Sequence, residues 1–365
     1  MLKSYFKIAL RNLFRQKSYS FINIAGLAIG MACCLIIFLY VRTSLSYDTH
    51  HKRADDIYRV VSEFKNSERE KWITLTPPML APTLVKSFPE VDQAARMMIL
   101  PALLVQNGEK KFFEANFYIA DSSILQVLTL PLKLGNAKTA LHSPNTVIIS
   151  EEGAQKYFGP ENPMGKTLTI DTGLKVKITG VMATPTIPTH LKANFICSFS
   201  LARDFFPERL HKWTWQQFYT YILLKENTSQ PDFEAKLANY VNQEVSPQLQ
   251  ESGSGIQYAF HLQPVKAIYL RSTNLEHDQP NQGNIGYVYA FAIIAVFILI
   301  IACFNFMNLA TARPLKRAKE VGVRKVVGAH KSQLITQYLG EWIYPDDVIC
   351  FYAGYSAGRI AFTFF

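Results

Sequence analysis

Residues 21–41 read FINIAGLAIGMACCLIIFLYV, twenty-one positions without a charged side chain. As a helix, at about 1.5 Å per residue, the run is roughly 30 Å long, the thickness of one bilayer hydrocarbon core. A secretory signal would have a shorter apolar region, about 7–15 residues, closed by a small-residue cleavage site. Here the run is longer and leads directly to Arg42. An uncleaved membrane anchor is the favoured reading. A second run, YVYAFAIIAVFILIIACFNFMNLA, fills residues 287–310, with Asn305 and Asn308 near its end. Such side chains either hydrogen-bond another helix or lie at the interface, and they do not define a transport path.

Charge follows these two runs. Residues 1–20 carry five basic side chains and no acid, and residues 312–341 carry seven basic and two acidic. The whole chain is +10, which leaves about +1 for residues 42–286. Basic ends outside two spans place both ends in the cytoplasm and the long middle outside the membrane. A composition of 49% apolar residues over 365 positions fits a few spans plus a large aqueous domain. Basic charge in this arrangement is a topology signal and not a sign of nucleic-acid binding. Lys3, Lys7, Arg11 and Arg15 fan over about 120° of a helical wheel, with Leu2, Phe6, Ala9, Leu10 and Leu13 on another side. This predicts an interfacial cytoplasmic helix whose four basic residues meet lipid headgroups.

The middle predicts a mixed α/β domain. NTVIIS (145–150) is a short β-branched strand, and EEGAQKYFG after it is a helix with Ser150 as N-cap and Gly159 as stop. KTLTI and LKVKITGV alternate around DTG, so they form a hairpin. Residues 229–245 form an amphipathic helix with Pro231 near its start. Residues 274–284 form a polar loop.

Several near-motifs fail on chemistry. GPENPMGKT (159–167) has five residues between its first glycine and Gly165-Lys166, where a phosphate loop has four. Two are prolines without the N–H groups of a phosphate cradle. Gly159 and Gly165 are read instead as structural turns. His50-His51 are adjacent, share no helix face and lack a third ligand at zinc spacing, so they read as a polar turn. WTW (213–215) with Phe218, Tyr219 and Tyr221 is an aromatic cluster, by default core packing. Of five cysteines only Cys197 lies in the middle domain, so no disulfide framework or metal site is expected there. No nucleophile–base pair is evident from sequence proximity. No catalytic residue, cofactor or metal is assigned.

RNLFRQKSYSFINIAGLAIGMA, YDTHHKRADDIYRV, FPEVDQAARM, FYIADSSILQVLTLPLKLGNAKTAL and KYFGPENPMGKTLTI…VKITGVMATP occur in order around the first span and through the middle. With KRAKEVGVRKVVGAHKSQLITQYLGE after the second span, they resemble an FtsX/MacB-type ABC transporter permease with a MacB-like periplasmic core domain. The likeness covers residues 1–341. It implies a membrane-anchored α/β protein, with two transmembrane helices flanking a large mixed α/β periplasmic domain. The expected divisions are an amphipathic helix (1–20), a span (21–41), the periplasmic core domain (42–286), a second span (287–310), a cytoplasmic coupling segment (311–341) and an aberrant tail (342–365). It implies a non-catalytic permease subunit in the inner membrane. Its partners would be an ABC ATP-binding subunit, a second copy or second permease half, and a periplasmic adaptor or outer-membrane exit duct. Transport would be mechanical, with drug, peptide or lipoprotein-type cargo.

The resemblance also gives the coupling segment a role. Val321, Val323 and Leu334 would fill a groove of the ATPase or pack beneath the membrane. Arg317, Lys319, Glu320, Arg324 and Lys325 would make rim or headgroup contacts. Gly322 lies within the first helix of the segment, Gly328-Ala329 turn the chain, and Glu341 closes the segment. Residues 342–365 depart from the family pattern: Pro345, Asp346 and Asp347 interrupt at once. Arg359 would cost about 2.5–3.5 kcal/mol at the centre of a further span. A truncated or frameshifted product, or an incomplete gene, is therefore expected, with loss of activity as the consequence of truncation. The rival reading is a membrane-anchored periplasmic binding or sensory protein, for which the short basic segment is a poor signalling domain.

Overall fold

The computed structural model describes residues 17–312 apart from 66–69, 172, 252, 254 and 280. The basic amphipathic segment (through residue 16) and the coupling segment lie outside the described residues. The chain divides into two compact units, one holding the two apolar runs and the other spanning Ser44–Ile285.

Among the described residues, the first helix, α1, spans Lys17–Leu45 and the last, α9, spans Ile285–Ala312. Within them, Ala25–Leu45 and Ile285–Phe304 are long and apolar enough to cross a membrane. The helices pack through small residues. A Cβ placed on Gly30 would sit 3.6 Å from Ala302 Cβ and Ile298 Cγ2, an ordinary van der Waals contact, so the helices are close here but still leave room for an alanine. Tyr40 meets Phe291 edge-on, ring centres 5.2 Å apart. Other apolar side chains of these helices, such as Ile29, Phe38, Ile294 and Phe297, are exposed. Such a surface suits lipid and would be an aggregation liability in water.

The second unit is built on a sheet of thirteen strands. In chain order they are β1 Ile57–Lys65, β2 Glu70–Ile73, β3 Val91–Leu100, β4 Leu103–Asn107, β5 Lys110–Glu114, β6 Phe117–Ala120, β7 Leu132–Gly135, β8 Thr146–Ser150, β9 Thr167–Ile170, β10 Leu174–Met182, β11 Phe195–Ser198, β12 Tyr219–Leu224 and β13 Gln257–Pro264. The spatial order is β13-β1-β12-β3-β6-β11-β8-β10-β9-β4-β5, with β2 beside β1 and β7 beside β10. The pairs β6/β11 and β8/β10 are parallel, and the others are antiparallel. Strands β6, β11 and β12 are buried at every position. They are therefore apolar runs and not alternating ones, as expected where both sheet faces are covered.

Local chemistry accounts for the strongest elements. The Ser150 side chain accepts from the Gly153 N–H at 3.0 Å and caps the helix Glu151–Phe158 (α4 here, after α2 Leu80–Ser87 and α3 Ile124–Val127). Gly159 ends that helix at φ 61°, a conformation open to glycine. Gly165 turns at φ 78°, its N–H donating to the Ile178 carbonyl at 2.8 Å. Strands β9 and β10 form the alternating hairpin, with Leu168, Ile170, Val176 and Ile178 buried. Trp215 packs on Phe206 and Phe218, while Tyr219 and Tyr221 lie inside β12, so the aromatic cluster is mostly core.

The helix predicted over 229–245 runs further. After the short α5 (Ser200–Phe205) come α6 Gln230–Tyr240, a π turn Val241–Val245 and α7 Ser246–Glu251, with the short α8 (Val265–Ile268) following β13. Phe233, Leu237, Val241, Val245 and Leu249 are all buried at four-residue spacing. Each such step overshoots a full α-turn by about 40°. The wider π turn absorbs part of that drift and keeps the apolar stripe on the sheet.

Gly135 at the end of β7 has φ +99°, and a Cβ there would lie 2.5 Å from the Thr179 carbonyl oxygen. Gly135→Ala is expected to destabilise this unit by about 2 kcal/mol or more, since left-handed strain adds to a backbone clash. Chemical denaturation of the full chain checks it, and an unchanged midpoint would contradict it.

Candidate functional site

Two chain segments tie the second unit to its flanking helices: residues 46–51 after α1 and residues 279–284 before α9. Both are held by one buried polar cluster. Asp48 adopts φ +58°, which Asp tolerates better than most residues. Its N–H donates to the Pro188 carbonyl at 2.9 Å, pinning the turn to the loop ahead of β11.

The Asp48 carboxylate is fully buried. Oδ1 accepts from the Thr189 hydroxyl at 2.7 Å, and the His190 N–H reaches both oxygens at 3.2 Å. His190 Nδ1 lies 2.9 Å from Oδ2, close but off the line of a good hydrogen bond. On the far side of the ring, Nε2 is 2.8 Å from the Tyr221 hydroxyl. A proton on Nδ1 faces the carboxylate and leaves Nε2 to accept from Tyr221, the tautomer these neighbours favour. Gln279 Nε2 donates to the Tyr221 oxygen at 3.3 Å, and Asn281 Nδ2 donates to the Thr189 carbonyl at 3.0 Å. The chain Asp48–His190–Tyr221–Gln279 thus joins the two segments through β12.

Burial alone would raise the Asp48 pKa; the charge and contact of His190, then His51 and Thr189, reverse this and hold it well below the usual carboxylate range. A depressed carboxylate contributes stability that is fully present above about pH 3.9 and is withdrawn as pH falls below it. Burial pushes the Tyr221 hydroxyl well above its ordinary value, so it stays a neutral donor.

A second buried network fixes the segment before α9. Arg59 in β1 is enclosed and grips Asp278 with two bonds, Nη1 to Oδ1 at 2.5 Å and Nη2 to Oδ2 at 2.8 Å. Nη2 also donates to Gln263 Oε1 at 2.7 Å and to Ser272 Oγ at 3.0 Å. Asp278 Oδ1 accepts the Gln279 N–H at 2.7 Å, so this network positions the residue that reaches Tyr221. Nearby, Tyr47 stacks on Tyr269, ring centres 3.4 Å apart, and the Tyr269 carbonyl accepts the Gly283 N–H at 2.8 Å. A Cβ on Gly283 would come within 2.6 Å of the Tyr269 ring.

The sequence reading missed this cluster and took His50-His51 for a polar turn. The turn exists, but His51 is buried against Asp48 and is not a solvent-facing side chain. The one local signal was YDTHH, an acid and two histidines immediately after an apolar run. Among the described residues, no group of three His, Cys, Asp or Glu side chains is placed to hold a metal ion. The residues assigned to ATPase coupling and to lipid headgroups lie outside the described residues.

In sequence, this mixed sheet domain is inserted between the two apolar helices, and one buried cluster holds both of its connecting segments. Residues 20–240 match the MacB-like periplasmic core domain, and residues 292–365 match the FtsX-like permease C-terminal domain. The chain belongs to the FtsX/MacB-type permease family. Permeases of this family sit in the inner membrane with a periplasmic domain and work with ABC ATP-binding subunits.

Among solved structures, a domain assigned to a permease protein of Porphyromonas gingivalis shares the fold at 20% identity and a TM-score of 0.50. That match covers 59% of this chain and 91% of the other. The periplasmic region of MacB from Actinobacillus actinomycetemcomitans matches at 15% identity and a TM-score of 0.43, covering 60% of this chain and 95% of the other. No curated protein matches the chain.

Proposed function

We propose that this chain is the non-catalytic permease subunit of an ABC transporter, moving its periplasmic domain in response to ATP hydrolysis on a separate cytoplasmic subunit. The observation that carries the reading is the Asp48–His190–Tyr221–Gln279 tie. A domain that only bound a ligand could hang from its anchors on loose linkers. A domain worked by its helices needs both connecting segments fixed to its own core, or their displacement is lost in the linkers. Family membership supports the same reading.

On this reading residues 311–341 are cytoplasmic and meet the ATP-binding subunit, with Val321, Gly322 and Val323 on the contact surface. Lys3, Lys7, Arg11 and Arg15 rest on the inner leaflet. A second copy or permease half would complete the membrane part, and a periplasmic adaptor would receive drug, peptide or lipoprotein-type cargo.

The test is capture of the cognate ATP-binding subunit by the detergent-solubilised full chain. Replacing Val321, Gly322 and Val323 together by Asp is expected to weaken capture about a hundredfold, since charges would be buried at the centre of the contact. Undiminished capture would overturn the coupling assignment.

A further inference from the structure

The buried cluster holds more titratable groups than the tie itself needs. His51 is buried with neither ring nitrogen hydrogen-bonded, its Nε2 3.5 Å from Asp48 Oδ1. The His50 ring lies 4.1 Å from that of His51, and His50 Nδ1 is also buried without a partner. With His190 on the other side, two imidazoles flank one carboxylate, and the third ring, His50, lies against His51. Among the described residues, the next groups outward are phenols and one ion pair. Tyr221, Tyr219 and Tyr118 are buried phenols, and Arg59 and Asp278 neutralise each other. Lys192 acts on Tyr269, which stacks on Tyr47 at the end of the turn.

We propose that the turn 48–51 is a proton-operated latch on the connection between α1 and the periplasmic domain. A proton on His50 places a positive charge against the buried His51 ring, where burial already disfavours it. The relief is for the turn to leave its seat on Thr189 and His190 and take the histidines into solvent. The inference rests on the reading of the cluster as the transmitting tie, and it adds a condition to it: transmission is firm near neutral pH and slackens in acid.

Electrostatics agree in sign. Burial, followed by the neighbouring His51, lowers the His50 pKa from its ordinary value near 6.5. A histidine whose pKa is lowered in the closed state binds protons more strongly in the open state, so opening is favoured as pH falls through about 6.5. Asp48, held far below that range, stays ionised throughout and is not the responding group.

Hydrogen exchange on the full chain in lipid nanodiscs, at pH 7.5 and 5.5 and corrected for intrinsic rate, tests the latch. Peptides covering 46–51 and 188–191 are expected to exchange about tenfold faster at pH 5.5, while β6 and β11 change less than about twofold. In His51→Gln, and separately in His50→Gln, the difference between the two pH values should shrink to that of β6 and β11. Equal protection of the turn at both pH values in the native chain overturns the proposal. So does a pH dependence that survives both substitutions. Should His51→Gln lose protection throughout the sheet, the half-buried His50 position decides alone. Failure of ATPase capture would sink the permease reading without altering these exchange results, so the two are separable.

Discussion

Arg59→Ala is expected to lower the stability of the periplasmic domain by about 3–5 kcal/mol, the usual cost of breaking a buried ion pair from one side. Removing the guanidinium strands Asp278 in a site where its side chain is 1% exposed. It also removes the donors to Gln263 Oε1 and Ser272 Oγ. For a domain of this size, each kcal/mol shifts the melting temperature by about 2–4 °C, so a fall of roughly 6–20 °C should appear in a thermal melt. Replacing both partners, Arg59→Met with Asp278→Leu, should recover most of the loss, because no lone charge then remains buried. That double variant should still show faster exchange at 279–284, since Asp278 would no longer seat Gln279. A single Arg59→Ala variant within about 1 kcal/mol of the native chain would show that the pair contributes little net stability.

Asp48→Ala is expected to cost a similar amount, about 3 kcal/mol or more, for a different reason. It leaves the Thr189 hydroxyl and the His190 N–H without their acceptor, and each orphaned buried donor costs about 1–3 kcal/mol. It also places alanine in a left-handed conformation that Asp tolerates. Asp48→Asn separates the contributions. It keeps the backbone preference and one acceptor oxygen but loses the charge facing the histidines. Its stability should fall between the native chain and Asp48→Ala, while exchange at 188–191 rises in both variants. Native-like stability and protection in Asp48→Ala would remove the cluster from any structural role.

The parts of this fold legible in the sequence were those set by near neighbours. Two charge-free runs declared the helices. Ser150 and Gly159 marked both ends of one helix, and the alternation in residues 167–178 marked a hairpin. The mixed α/β class followed from these. The candidate site was not legible, because each of its bonds joins distant residues: Asp48 to His190 across 142 positions, and Arg59 to Asp278 across 219. Only the sheet order brings β1, β12 and the loop before β11 together. Tyr221 illustrates the difficulty. In TYILL it is one more apolar-looking strand residue, and its hydroxyl acquires a role only through partners from two other segments. His51 misled in the opposite way, because a histidine pair beside an apolar run looks like surface until the carboxylate beneath it is located.

Asp48 and Asn281 both reach Thr189, so the first and last few residues of the periplasmic domain are held at one place on its surface. A domain whose ends lie together can be lifted out of one host and set into another with little rearrangement of either. The region 44–285 is thus a natural cassette. Exchanging it between permeases at residues 44 and 285 should carry over its own internal tie intact, while the same exchange cut inside 48–51 or 279–284 would divide that tie between unrelated parents. Crossover position, more than overall likeness of the parents, should decide which chimaeras retain a connected domain.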